Sequence, residues 1–414
     1  MKRRTAVLSG SVPGTTRTIL LTVLVAALSS AFSCGQGKPD PTTLRRLDPG
    51  ELDALVAYLR DNGRPPAEYV LEKLRGNKVV FLGEMHRIRH DVLLVDELIP
   101  RLAEADVYDL GSEFYCVEDQ AALDDLVTAE QFSDATAKGL LRHGTGGTWP
   151  FLEYLELLRT AWRYNRDRAP GQPPVRIIGL IPRIDYEKLN EGNESERQIE
   201  HRKNDDYDRI MADALELEVL SKGRKALVHC GINHAFTRYT KRYLEKGKVV
   251  ESNRTRCGRY IYDEYPDSVI TVYLHAPWYS FTDDEVSWYL PFNGAIDQAF
   301  VAYGAPVGFD VAGPFANLTH PGASYAEGFD DFRAETIFDG YIIMKTIDRY
   351  QGVTLVDDWI DSDAVFEDLK RQLPNRRWAA TLKSPSEYME GIGKDTDLQR
   401  MYGKCVAAWM KFNK

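Results

Sequence analysis

Two imidazoles and two carboxylates follow short apolar runs of this chain, and their side chains could do acid–base chemistry. The four residues are Glu84, His86, Glu113 and His234. A histidine that a carboxylate polarises can take a proton from water and make the water nucleophilic. The pattern therefore indicates a site for a ligand or substrate, with side chains suited to acid–base chemistry.

The same residue types suit a second chemistry. Two imidazoles and one carboxylate with an open position are the composition expected of a catalytic metal site. We therefore expect His86, Glu113 and His234 to bind a divalent metal if they converge on one point. Spacing along the chain does not decide whether they converge.

Short apolar runs, each typical of a buried strand, alternate with segments of helical periodicity. Strands are predicted at 78–82, 107–114, 175–181, 225–231, 268–276 and 338–345. Helices are predicted at 51–60, 67–74, 91–105, 117–142 (with breaks), 150–168 and 196–220. This alternation favours an α/β fold with a mostly parallel sheet and helices on both faces. Ligands bind beyond the carboxyl ends of such strands, so we expect the four residues, with Arg183 and Asp185, at that edge.

The first 33 residues are typical of an export signal rather than of a fold. Basic residues precede 18–32, an apolar run of 15 residues that is short for a membrane span and suits a signal peptide. The pair Ser33-Cys34 resembles the end of a bacterial lipobox, in which the cysteine is lipidated. Ala31 stands where a lipobox usually has leucine, so secretion with cleavage nearby and an uncleaved anchor stay as alternatives.

The chain divides on this basis into a signal peptide (1–33), a polar tether (34–50) and a single α/β domain (51–414). Within the domain, residues 277–337 are rich in glycine, proline and aromatics and are expected to form an insertion or lid. We expect an exported protein of the cell envelope that is anchored to the membrane through lipidated Cys34.

Composition and cysteine content exclude other classes of protein. The 414 residues are 43% hydrophobic, and the net charge of −10 argues against non-specific binding of nucleic acid. Besides Cys34 there are four cysteines, and no CxxC pair exists, which argues against a cysteine zinc site. Disulfides are an option in an exported protein, with no pairing indicated. The four are Cys116, Cys230, Cys257 and Cys405.

Several motifs together resemble a known superfamily over about residues 75–240, and more weakly to about 345. They are "FLGEMH", "LGSEF", "EYLELLRTAWRYN" and "RIMADALELEVLSKGRKALVHCGINHA". The superfamily joins erythromycin esterases, ChaN-type haem-binding lipoproteins and Tiki/TraB-type proteins. The spacing of Glu84 and His86 is ChaN-like, whereas Asn233-His234 and the helix with Trp162 are similar to the esterases.

The resemblance implies three functions. The esterase branch implies hydrolysis of an ester or peptide-like bond in a small-molecule or peptide substrate, and we favour it. In that branch a motif histidine is the base, which implies His86 or His234 as base here and Glu84 and Glu113 as the carboxylates that orient it. The Tiki branch implies a divalent metal on equivalent His and Glu residues. The ChaN branch implies a surface lipoprotein that binds haem or an iron compound without turnover, which requires an axial His or Tyr and an apolar slot. A degenerate member with a structural role is the remaining alternative.

Overall fold

The structure is a computed structural model that describes residues 43–282 and 285–414. Its strands are β1 (Val79–Glu84), β2 (Asp109–Cys116), β3 (Arg176–Ile181), β4 (Ala226–Gly231), β5 (Arg242–Glu245), β6 (Lys248–Glu251), β7 (Val269–Leu274), β8 (Trp278–Thr282), β9 (Glu285–Tyr289), β10 (Val307–Asp310) and β11 (Gly340–Ile343). In this part of the chain, seven strands form one sheet in the order β10-β11-β7-β1-β4-β2-β3. Its neighbours are parallel except β10 and β11, which pair antiparallel at one edge.

Helices connect the strands and continue to the C-terminus. The α-helices are α1 (Pro49–Asn62), α2 (Pro66–Gly76), α3 (Arg89–Leu98), α4 (Gln120–Thr128), α5 (Asp134–Thr145), α6 (Leu152–Asp167), α7 (Tyr186–Glu191), α8 (Glu194–Asp205), α9 (Tyr207–Glu218), α10 (Ile232–Ala235), α11 (Cys257–Glu264), α12 (Ala295–Tyr303), α13 (Ala334–Ile337), α14 (Asp363–Gln372), α15 (Arg376–Thr381), α16 (Pro385–Gly393), α17 (Leu398–Met401) and α18 (Gly403–Phe412). Short 3-10 helices are Ile99–Ala105, Val117–Asp119, Leu220–Lys222, Pro291–Gly294, Ile347–Arg349 and Lys394–Thr396.

The sheet separates two hydrophobic cores. Side chains alternate along a strand, so Val79 and Phe81 of β1 enter one core and Val80 and Leu82 enter the other. Since both faces are covered, a central strand such as β1 is largely a continuous apolar run. The predicted α/β fold is confirmed.

Two predicted helices are shorter than expected. The single helix predicted over 196–220 is divided into α8 and α9, because Asp206 between them has a non-helical backbone. The helix predicted over 91–105 ends at Leu98 and continues as a 3-10 turn that contains Pro100. The expected insertion or lid at 277–337 contributes the β8–β9 hairpin, α12 and the edge strand β10.

The predicted signal peptide and most of the tether lie outside the described residues. Among the residues from 43 onward that the structure describes, no helix is long and apolar enough to cross a membrane. Four cysteines of the fold are buried and unpaired, so the disulfides that remained an option do not form in this structure. These are Cys116, Cys230, Cys257 and Cys405.

Candidate active site

The predicted site residues come from three neighbouring parallel strands. Glu84 ends β1 and pairs in register with Gly231, which ends β4. His86 follows β1, and His234 lies on the short helix that follows β4. Glu113 lies on β2, the strand on the other side of β4. Because the strands are parallel and adjacent, their carboxyl ends bring all four side chains into one crevice.

Glu84 is a buried carboxylate that fixes the orientation of His86. It is 1% exposed. One oxygen, Oε1, lies 2.8 Å from Nδ1 of His86 and accepts a hydrogen bond of 2.7 Å from the Tyr154 hydroxyl. The other, Oε2, lies 2.6 Å from Nε2 of His229. Burial alone would raise the pKa of Glu84, but His229 and His86 lower it below its ordinary value. A carboxylate only accepts hydrogen bonds, so Nδ1 of His86 carries a proton and Nε2 is left to act as a base.

His234 is held by a second carboxylate in the same way. Its Nδ1 lies 2.7 Å from Oδ1 of Asp208. Asp208 also accepts the Cys257 backbone N–H at 3.0 Å and pairs with Arg256 at 3.2 Å. Burial tends to raise the pKa of Asp208, but His234 and these partners lower it to about 2. Burial tends to lower the pKa of His234, and the charges of Asp208 and Glu113 more than offset this and raise it.

Glu113 stands between the two histidines. Its Oε1 lies 3.4 Å from Nε2 of His234 and 3.9 Å from Nε2 of His86. Its Oε2 accepts the backbone N–H of Gly231. The longer distance exceeds that of a direct hydrogen bond and suits a bridging water.

Gly231 is required by this close approach. A Cβ atom there would lie 2.9 Å from two ring atoms of His86 and 3.2 Å from Glu113 Oε2. Any side chain at this position would therefore displace the imidazole or the carboxylate.

Aromatic rings form one wall of the crevice. The His86 imidazole packs edge-on against Trp149, with ring centroids 5.2 Å apart, and against Phe114 at 5.7 Å. The Tyr207 ring lies 5.4 Å from that of His234. The His86 side chain keeps 24% of its surface exposed, so the base faces solvent from within an apolar wall.

Three site residues were not predicted from the sequence. Asp208 was one charged residue among many on a predicted helix, and no spacing distinguished it. His229 lies inside the predicted strand 225–231, a position typical of a buried structural residue, yet its ring contacts Glu84. Tyr154 belongs to the apolar stripe of α6, and its hydroxyl reaches the same carboxylate.

Arg183 and Asp185 follow β3 at the same edge but join a different cluster. Arg183 pairs with Asp119, and its guanidinium lies 2.9 Å from Nδ1 of His143. Asp185 caps α7 by accepting the Lys188 N–H at 3.1 Å. No contact of either residue with the crevice is seen in the described part of the chain.

The expected divalent-metal site is not supported by the geometry. In residues 43–282 and 285–414, no three His, Cys, Asp or Glu side chains form a group that could hold a metal ion. Of the expected ligands His86, Glu113 and His234, the glutamate uses one oxygen to bind a backbone N–H.

Comparison with known families supports the resemblance seen in the motifs. Residues 70–229 match the family model described as haem-binding uptake, Tiki superfamily, ChaN. No curated protein sequence matches the chain. The resemblance to the ChaN and Tiki superfamily is confirmed over these residues.

Three solved structures that are similar to this chain have low sequence identity. A Bacillus cereus protein is 14% identical, with 74% of this chain and 99% of that chain covered and a TM-score of 0.50. A mutant of the erythromycin esterase EreC in its open conformation is 12% identical; the match covers 76% of this chain and 99% of that chain, with a TM-score of 0.48. ChaN of Campylobacter jejuni, with cofacial haem, is 15% identical; the match covers 54% of this chain and 90% of that chain, with a TM-score of 0.31. The likeness to the Bacillus cereus protein supports the fold alone.

Proposed function

We propose that this chain, whose residues 70–229 match the ChaN and Tiki superfamily model, is a hydrolase that activates water with His86. One observation carries the proposal. The Nε2 atoms of His86 and His234 both face Glu113, and each Nδ1 is held by a separate buried carboxylate. Two oriented imidazoles on one carboxylate provide a base and an acid in one crevice.

The two histidines take different roles in this proposal. Water near Glu113 loses a proton to Nε2 of His86 as its oxygen bonds to the carbonyl carbon of an ester or peptide-like substrate. Glu84 stabilises the imidazolium that forms. His234, whose raised pKa favours its protonated form, gives its Nε2 proton to the leaving alkoxide or amine as the scissile bond breaks. Proton exchange with solvent then restores both rings.

Haem binding without turnover is the second candidate, and the family model favours it. An axial histidine needs a free nitrogen that faces an apolar slot. In the crevice, the Nε2 atoms of His86 and His234 lie 3.9 Å and 3.4 Å from Oε1 of Glu113, so a charged carboxylate, and not an apolar slot, lies beside each nitrogen. The crevice therefore favours hydrolysis.

A substrate screen tests the proposal. Purified protein is assayed on ester and peptide substrates, with a chelator and with added divalent metal, and is titrated separately with hemin. We expect ester or peptide hydrolysis that survives the chelator, and no saturable Soret shift. A saturable Soret shift without any hydrolysis would contradict the hydrolase proposal and support haem binding.

We also propose that the protein is exported and anchored in the cell envelope through lipidated Cys34. The support is the sequence of residues 1–34 alone. Replacement of Cys34 with Ala is expected to release the protein from membranes, whereas Ser33→Ala keeps a small residue before the cysteine and is expected to stay anchored. Membrane retention of Cys34→Ala would contradict the lipoprotein proposal.

A further inference from the structure

A cavity of about 470 Å³ lies next to the crevice and is strongly basic. Its wall includes Asn233, the residue before His234. Six cationic side chains line it, against the two carboxylates of Glu251 and Asp263. The six are Arg238, Lys241, Arg242, Arg254, Arg256 and Arg259. In a chain of net charge −10 this local excess of positive charge is unusual and needs an explanation.

Three of the six cations are neutralised by ion pairs. The pairs are Arg242 with Glu251, Arg259 with Asp263 and Arg238 with Asp339. Each of these guanidinium groups has its own carboxylate, so these three residues do not create the excess charge.

The other three cations are short of negative charge. Arg254 and Arg256 both approach Asp208, at 3.9 Å and 3.2 Å, and this carboxylate already binds His234. Lys241 forms no ion pair with the part of the chain that the structure describes. Burial lowers the pKa of Lys241, Glu327 acts in the opposite direction, and the charge of Arg256 lowers it further. An anion between these side chains would relieve their mutual repulsion.

The cavity also has an aromatic wall beside the cations. The rings of Tyr239 and Phe329 stack with centroids 5.7 Å apart, and the Arg242 guanidinium lies 4.3 Å from the Phe329 centroid. Apolar surface with a few convergent charged groups is typical of a pocket for an organic anion.

We propose that this cavity binds an oxyanion group, either carboxylate or phosphate, on the substrate of the neighbouring crevice. The inference rests on the proposed hydrolase function and deepens it, because it assigns the substrate to the class of anionic esters or amides. Lys241 and Arg254 supply charge-assisted hydrogen bonds to the oxyanion, and Arg256 contributes a third positive charge. The scissile bond then lies toward His234, which the same arginines approach through Asp208.

A matched pair of esters tests the inference. Purified protein is assayed on mono-para-nitrophenyl glutarate, which carries a free carboxylate, and on neutral para-nitrophenyl butyrate. We expect kcat/KM to be at least about tenfold higher for the anionic ester. In Lys241→Gln or Arg254→Gln, we expect the ratio of kcat/KM for the anionic ester to that for the neutral ester to fall by about tenfold. Lys248→Gln removes the same charge from an exposed position of the nearby β6 strand and is expected to keep the preference.

A binding measurement separates this inference from the proposed hydrolysis. Glutarate and inorganic phosphate are titrated calorimetrically into the wild type, Lys241→Gln and Arg254→Gln, whose Tm values are compared first. Saturable binding that both variants weaken supports the anion site even if neither ester is hydrolysed, and the stronger of the two ligands identifies the oxyanion. Equal kcat/KM for the two esters, or the absence of saturable binding of either anion to the wild type, would overturn the inference.

Discussion

Nδ1 of His234 lies 2.7 Å from Oδ1 of Asp208, a carboxylate that is 26 residues away in the chain. The same arrangement occurs at Nδ1 of His86, 2.8 Å from Oε1 of Glu84. The crevice thus contains two carboxylate–histidine pairs whose Nε2 atoms approach one further carboxylate, Glu113. A carboxylate behind an imidazole fixes its tautomer and stabilises its charged form.

Replacement of Asp208 with Asn is expected to change the pH dependence of hydrolysis. His234 must be protonated to act as an acid, and the charge of Asp208 helps to raise its pKa against the effect of burial. Without that charge the pKa of His234 falls, so the alkaline limb of the kcat/KM profile moves to lower pH. We expect kcat at alkaline pH to fall by about 10²-fold.

Asp213 provides the control for this profile. It lies on the same helix α9, with a side chain that is 58% exposed and paired with Arg209. The profile of Asp213→Asn is expected to match the wild type. An alkaline limb that stays in place in Asp208→Asn would show that His234 does not act as the acid.

Replacement of Glu84 with Gln is expected to lower the free energy of unfolding by an amount that depends on pH. Removing the charge from a buried, hydrogen-bonded network costs on the order of 3 kcal/mol at neutral pH. Burial opposes the charged form, but the histidine partners of Glu84 lower its pKa below 4.5. Its carboxylate therefore stabilises the fold above pH 4.5, and this contribution is lost as pH falls through the lowered pKa.

Urea unfolding from pH 7 downward measures this effect. The difference in the free energy of unfolding between the wild type and Glu84→Gln should shrink below pH 4.5. Glu97→Gln, at a position that is 60% exposed, should differ little from the wild type at any pH. A difference that stays constant down to the acid-unfolding region would contradict the lowered pKa.

Replacement of Asp91 with Asn is expected to stabilise the protein at neutral and alkaline pH. Asp91 is fully buried, and neither carboxylate oxygen has a hydrogen-bond partner among the described residues. Burial, and then the charge of Glu84, raise its pKa well above 3.8. Protonated Asp91 makes its full contribution to the free energy of unfolding below pH 3.8, and this contribution is lost as pH rises through the raised pKa. The amide does not ionise and avoids this loss.

Thermal unfolding at several pH values tests the effect of Asp91→Asn. At pH 8 we expect Tm to rise by about 1–2 °C for each kcal/mol gained in the free energy of unfolding, and near pH 3.5 we expect no gain. Asp53→Asn on the exposed face of α1 is the control and should leave Tm unchanged. A gain that is equal at both pH values would show that ionisation of Asp91 is not its cause.

The central sheet could be predicted because its strands are buried on both faces. Such strands contain continuous apolar runs, as in 79–82 and 226–228. Strand β10 (Val307–Asp310) could not be predicted in this way, because it is four residues long and lies at the antiparallel edge. Short edge strands lack a distinctive pattern of burial.

Part of the site could be predicted because the strands are parallel. Parallel strands bring their carboxyl ends together, so polar residues that follow them, such as Glu84 and His234, are expected to meet. Asp208 reaches the crevice from the side of a helix, where charged residues are common and the one that faces inward depends on packing. His229 is recognisable as buried, but its contact with Glu84 depends on the alignment of β4 beside β1.

The hydrolysis rate of His86→Ala shows whether His86 is the base. His143→Ala is the matched control, because His143 also pairs with a carboxylate, Asp119 at 2.9 Å, but in the separate cluster. Both variants should unfold near the wild-type temperature. We expect kcat/KM to fall by about 10²-fold or more for His86→Ala and to stay at the wild-type value for His143→Ala. Wild-type kcat/KM in a folded His86→Ala variant would contradict the assignment of His86 as the base.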